Sequence, residues 1–205
     1  MDTETDYANL EAEGRVDLSG IASENSSFDK LVFGCLADNM RLPFADNVFE
    51  AYISNLSLMI VQHRERMIQE AFRVLKPGSR ACFTTWGKEE NCSVWHIFRQ
   101  AFYNLDREPP VNDFDRYFAL SSNIDELRQL FVDVGFQADE VRIWHQPCNW
   151  LFENGEDYWN GMCLRIAEED RDEAIKTEMC RLFEESKSGM LVFEKCFILA
   201  LKPSE

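Results

Sequence analysis

A chain of 205 residues with 45% hydrophobic and 28% charged side chains has the length and composition of one well-cored globular domain, not two. Its net charge of −16 repels phosphate backbones and anionic lipid, which argues against nucleic acid and membrane surfaces as partners. Seven cysteines without a C-x-x-C pair suggest neither a zinc site nor a disulfide framework, and no secretory pattern or bilayer-length apolar run is visible, so a reducing, cytoplasmic setting is expected. The acidity would suit a cationic ligand such as a sulfonium, or simply keep the surface soluble.

Residues 1–14 are acidic and aperiodic and read as a tail. A short apolar segment, Val16 to Ser19, and the continuous run Lys30 to Ala37 have strand character, and Asp38-Asn39 ends the second. The turn residues Ala45-Asp46-Asn47 open a strand over Phe49–Ser54. Met67, Ile68, Ala71, Phe72 and Leu75 recur at helical spacing, Pro77-Gly78 is the expected stop, and Arg80–Thr85 reads as the next strand. Strand, helix, strand is the rhythm of a parallel sheet.

The stretch from Ser93 to Leu120 mixes aromatic and aliphatic residues and its later part reads as an insertion. A capping-box pattern from Ser122 to Asp125 opens a helix with the stripe Ile124, Leu127, Leu130, Phe131 and Val134, closed by Gly135. Val141–Trp144 alternates as a strand, helices are expected over Asp157–Ile166 and Glu168–Ser186, and Val192–Leu201 is expected as a terminal edge strand. The organisation is therefore a tail, residues 1–14, and one domain, residues 15–203.

Two linked motifs carry a resemblance. Asp38-Asn39-Met40-Arg41-Leu42-Pro43-Phe44, a turn, and Phe49-Glu50 are followed about twenty residues later by Arg73-Val74-Leu75-Lys76-Pro77-Gly78. In order and separation the pair is similar to the signature of class I S-adenosylmethionine-dependent methyltransferases of the type 11 group. Gly135-Phe136 and the closing run Phe197 to Pro203 fit the same pattern, and Val16-Asp17-Leu18-Ser19 resembles the end of its second strand. The resemblance implies an α/β, Rossmann-like sheet with flanking helices and S-adenosyl-L-methionine as cofactor.

By that resemblance Asp17 would accept from the ribose hydroxyls, Asp38 from the adenine amino group, and the Asn39 backbone N–H would meet the adenine ring, while Ser54, Asn55 and Leu56 would line the methionine arm. Read from their own chemistry, Asp17 is equally a turn or helix-cap residue and Asp38-Asn39 an Asx turn. Trp86, just past a strand, is a candidate roof for the substrate, with Trp95 and Phe118 as further candidates and His63 as the histidine best placed to reach it; each is also an ordinary packing or surface residue. The Arg73–Gly78 run is expected to be structural.

The pattern departs from the family at one place. None of the nine glycines forms a G-x-G pair, and sixteen residues before Asp17 leave no room for a first strand, glycine loop and helix. The chain is expected to be truncated before that loop, and so to lack the first strand and helix. Two functions remain: methyl transfer to a small-molecule acceptor, with degenerate cofactor binding and no side chain assigned as catalytic, or a non-catalytic methyltransferase-like partner. A homodimer or a complex with a full-length relative would complete the sheet.

Overall fold

In a computed structural model of the chain, residues 36–109, 114–166, 168, 171–186 and 190–204 are described. The tail, Asp17 and the strand expected over residues 30–37 lie outside them, apart from Leu36 and Ala37, which are irregular. The described residues form a mixed α/β fold, an open four-stranded sheet with flanking helices.

Strand β1 (Phe49–Asn55) is followed by helix α1 (Arg64–Val74) and strand β2 (Leu75–Trp86), and the two strands pair in parallel. Helix α1 forms because Met67, Ile68, Ala71 and Val74 make one buried stripe. It ends at Val74, not at Pro77-Gly78 as the sequence suggested, because Leu75 is already extended (φ −72°, ψ 139°). Pro77 and Gly78 lie inside β2, where the register jumps from Phe49↔Leu75 to Ala51↔Arg80. Gly78 takes the positive φ of 78° that this irregularity demands.

The aromatic stretch is helical: α2 (Ser93–Asn104) buries Val94, Trp95, Phe98, Ala101 and Phe102, and α3, spanning Phe114–Ser122, falls in the later part that reads as an insertion. Its bulky residues fall at helical spacing, a period masked by the apolar Ile97 and Tyr103 between them. Helix α4 (Ile124–Val134) is capped by Asn123, whose side chain accepts from the Glu126 N–H, and not by the box expected at Ser122. Gly135 closes it in the left-handed region (φ 116°), where its N–H donates to the carbonyls of Phe131 and Val132.

Strand β3 (Arg142–Leu151) leads to α5 (Gly155–Met162), α6 (Glu173–Glu185) and strand β4 (Met190–Leu201). Helix α6 starts at Glu173 rather than Glu168, because the Asp172 side chain caps it by accepting from the N–H groups of Ala174 and Ile175. Strand β4 is not an edge. The order is β1-β2-β4-β3, with β4 antiparallel to both neighbours. The apolar run Cys196–Leu201 within it suits a strand covered on both faces.

The register separates two faces. Tyr52, Ala81, Phe83, Cys196, Ile198 and Ala200 point into the core with α1 and α4; Phe83 and Phe131 meet edge to face at 5.2 Å. The other face carries the rows Ile53, Cys82, Leu199 and Asn55, Thr84, Phe197, Trp144. Among the described residues β1 pairs only with β2, Ile53 is 77% exposed and Trp144 41%. No helix among the described residues is long and apolar enough to cross a membrane.

Candidate functional site

The two halves of the sequence signature meet physically. Arg73 of α1 donates to the carbonyls of Leu42 and Phe44, to Asp46 Oδ1 at 2.7 Å and to both carboxylate oxygens of Glu70 at 2.7 Å. Glu70 in turn accepts the Leu42 N–H. One guanidinium, planar and five-donor, thus holds the loop before β1 against the helix after it.

The closing strand joins this clamp. The buried Lys202 ammonium donates to Asn47 Oδ1, Phe72 O and Leu75 O at 2.7–2.8 Å and lies 4.6 Å from the Phe72 ring centre. It satisfies carbonyls that the end of α1 leaves open, and burial pushes its pKa down. Burial, then the Glu70 charge, push the Tyr52 hydroxyl up to about 12.

The loop so held carries Asp38 and Asn39. Asp38 Oδ1 accepts the Met40 N–H at 2.8 Å and its carbonyl accepts the Arg41 N–H at 2.9 Å, an Asx turn. Asp38 is half-buried.

At the C-terminal end of β1 the chain places Ser54, Asn55 and Leu56. Ser54 Oγ is buried without a hydrogen-bond partner among the described residues. Asn55 is exposed, and its Oδ1 accepts from the Thr84 hydroxyl at 2.6 Å. Leu56 takes φ 55°, uncommon for a residue with a Cβ, and its N–H donates to Thr84.

Leu56 also opens the cavity. A cleft of about 270 Å³ lies above the strand ends, lined by Leu56, Trp86, Trp95, Trp150, Phe193 and Lys195, with Cys148 and Asn149 at the β3 side. Trp86, the last residue of β2, is the hub: its ring centre lies 5.1 Å from Trp95, 5.0 Å from Phe118 and 5.4 Å from Phe193. Of the residues singled out from sequence, Leu56, Trp86 and Trp95 line the cleft. Phe118 packs behind it; His63 is exposed at the start of α1, makes no side-chain cap there and is not among the lining residues.

Trp150, Phe193 and Lys195 were missed. Their signal was alternation along β3 and β4, but only the register Cys148↔Phe193 and Trp86↔Lys195 shows that they share a face with Trp86.

For S-adenosylmethionine the fit is confined to the strand ends. The orphaned Ser54 hydroxyl, the Asn55 amide and the Asp38 carboxylate suit a ligand with an amino-acid arm and an adenine. A glycine cradle is not found among the described residues: a Cβ on Gly87 would meet Glu194 at 2.6 Å, and one on Gly155 would meet the Cys180 backbone at 2.8 Å, so these glycines admit protein rather than ligand.

The family model described as a methyltransferase domain matches residues 15–83. Ubiquinone/menaquinone biosynthesis C-methyltransferase UbiE of Ectopseudomonas mendocina is 32% identical over 110 residues, covering 49% of this chain and 43% of that protein. The same enzyme of Pasteurella multocida is 32% identical over 112 residues, with 49% and 41% covered. The matched segment therefore spans less than half the length of these relatives. A putative methyltransferase from Bacillus halodurans superposes with a TM-score of 0.47 at 16% identity, over 82% of this chain and 70% of that one. Residues 15–83 thus match a methyltransferase-domain model, and about half of the chain is similar in sequence to these C-methyltransferases.

Proposed function

We propose that the chain carries out S-adenosylmethionine-dependent methyl transfer to a small-molecule acceptor seated in the aromatic cleft. The observation that carries this reading is the position of the cleft: it opens at the C-terminal ends of β1 and β2, where open α/β sheets bind ligands, and Leu56 belongs both to the strand-end group and to the cleft wall.

The cofactor supplies an activated methyl group, so the protein's task is alignment and exclusion of water. Asp38 and the Asn39 backbone would hold the adenine end, Ser54, Asn55 and Leu56 the amino-acid arm, and Asp17 the ribose. Trp86 would close the acceptor side, with His63 at most reaching it by movement of the exposed loop. The Arg73 clamp fixes the loop after Asp38 against α1, so that this loop is set before a ligand arrives.

Titration calorimetry with S-adenosylhomocysteine tests the reading. Micromolar binding to the wild type, lowered at least about tenfold by Asp38→Asn, which keeps the turn acceptor and removes the charge, is the expected result. No heat at millimolar ligand overturns it.

A second reading has its own observation. The row of Ile53, Cys82 and Leu199 and the exposed Trp144 leave apolar sheet surface uncovered among the described residues. On that reading the protein is a non-catalytic methyltransferase-like partner, joined across this face to a second copy or to a full-length relative. Sedimentation at micromolar concentration separates the two: a monomer that binds S-adenosylhomocysteine supports the enzyme, a stable complex without such binding the partner.

A further inference from the structure

Among the described residues Lys195 is the one charged side chain lining the cleft. It lies on β4 opposite Trp86, on the face that also presents Phe193. It is half-buried, and among the described residues it has no ion-pair or hydrogen-bond partner.

Several basic residues elsewhere in the chain are engaged: Arg80 and Arg142 share Glu140, Arg99 pairs with Glu89, and Arg107 with Asp172. In a chain of net charge −16, with 37 acidic side chains against 21 basic ones, an ammonium left unpaired at the wall of an aromatic cleft is not explained by a shortage of carboxylates. A partly desolvated ammonium gains most from an oxygen anion brought to it.

The walls set the rest of the ligand. Trp86, Trp95 and Phe193, themselves buried against one another, and the half-buried Trp150 give the cleft an apolar aromatic lining, and Asn149 adds an amide at the β3 side. Rings against indole faces stack with modest gain and strong shape selection, which suits a planar molecule of one or two fused rings in a cleft of about 270 Å³.

From these observations we infer that the cleft binds an aromatic carboxylate, with the ring among Trp86, Trp150 and Phe193 and the carboxylate on the Lys195 ammonium. This names the chemical class of the acceptor and so rests on the methyl-transfer reading for its role, although the binding itself does not require the cofactor. The rival ligand is an aromatic cation, which the net acidity and the indole faces would favour; Lys195 at the wall opposes it.

Quenching of tryptophan fluorescence by 2-naphthoate, 2-naphthamide and 2-naphthylmethylammonium, without cofactor, decides between them. Naphthoate is expected to bind at least about tenfold more tightly than the amide, as one charge-assisted hydrogen bond provides. Lys195→Met should erase that preference while leaving amide binding within about twofold, and Lys195→Arg should restore most of it. Equal binding of acid and amide, a preference that survives Lys195→Met, tighter binding of the cation, or no binding of any probe overturns the inference. Loss of S-adenosylhomocysteine binding with naphthoate binding intact would instead remove the methyl-transfer reading and leave an aromatic-acid site. Thermal unfolding of each variant separates altered binding from altered folding.

Discussion

The loop–helix signature and the aromatic cleft are neighbours held by different forces. Residues 38–83 are fixed by charge: Arg73, Glu70 and Lys202 spend nearly all their donors and acceptors on backbone and side chains of the loop and helix end. The cleft is fixed by ring packing around Trp86, and its one lining charge, Lys195, has no partner among the described residues. A hydrogen-bonded clamp dictates one geometry, whereas packed rings tolerate exchange of shape at similar volume. On the proposed reading the first region would hold the cofactor and the second the acceptor.

The largest expected effect comes from removing the hub. Trp86→Ala should cost about 3–5 kcal/mol in urea unfolding, since the side chain is 7% exposed and touches rings from α2, α3 and β4. Trp86→Phe, keeping a smaller ring, should lose much less and alter probe binding more than stability. Equal losses for both would show that the cleft is as rigidly specified as the clamp.

Breaking the clamp comes next. Arg73→Met should cost about 3 kcal/mol, because Glu70, 16% exposed, keeps its charge while losing the guanidinium. Arg73→Met combined with Glu70→Gln should recover part of that loss in a double-mutant cycle. Additive losses would mean that the two residues do not act as one unit.

The smallest effect lies outside both regions and serves as a baseline. Hydrogen bonds from Arg181, then from Asn104, hold the Glu178 pKa down to about 2 against an ordinary 4.5. A depressed carboxylate stabilises the fold fully above the ordinary value, and the contribution is lost as the pH falls toward about 2. Glu178→Gln should therefore flatten the acid limb of the stability profile and cost at most about 1 kcal/mol near neutrality, the ordinary worth of a surface pair. An unchanged acid limb would show that the pair does not persist in solution.

How much of this was legible in the sequence follows the same division. The signature could be read because its residues are close in sequence: the turn at Asp46-Asn47, the strand Phe49–Asn55 and the apolar stripe of α1 each declare themselves within a dozen positions. Only the reason for Arg73 was hidden, since its partners Leu42, Phe44 and Asp46 lie about thirty positions away. The cleft could be read only in part. Trp86 was marked by its strand end, but Trp150, Phe193 and Lys195 reach it through an antiparallel register that local pattern does not encode. For the same reason β4 read as an edge strand: an apolar run announces burial but not which neighbours supply it. Pro77-Gly78 misled because a helix stop and a strand irregularity use the same residues.

The account's central claim is that one ligand-binding end is formed where the Asp38 loop, the end of β1 and the cleft meet. Ultraviolet cross-linking of methyl-labelled S-adenosylmethionine, followed by peptide mapping, tests it most directly. Label on residues 38–41 or 54–56, competed away by S-adenosylhomocysteine, is the predicted result. Label elsewhere on the chain, or label that the competitor does not displace, would contradict it.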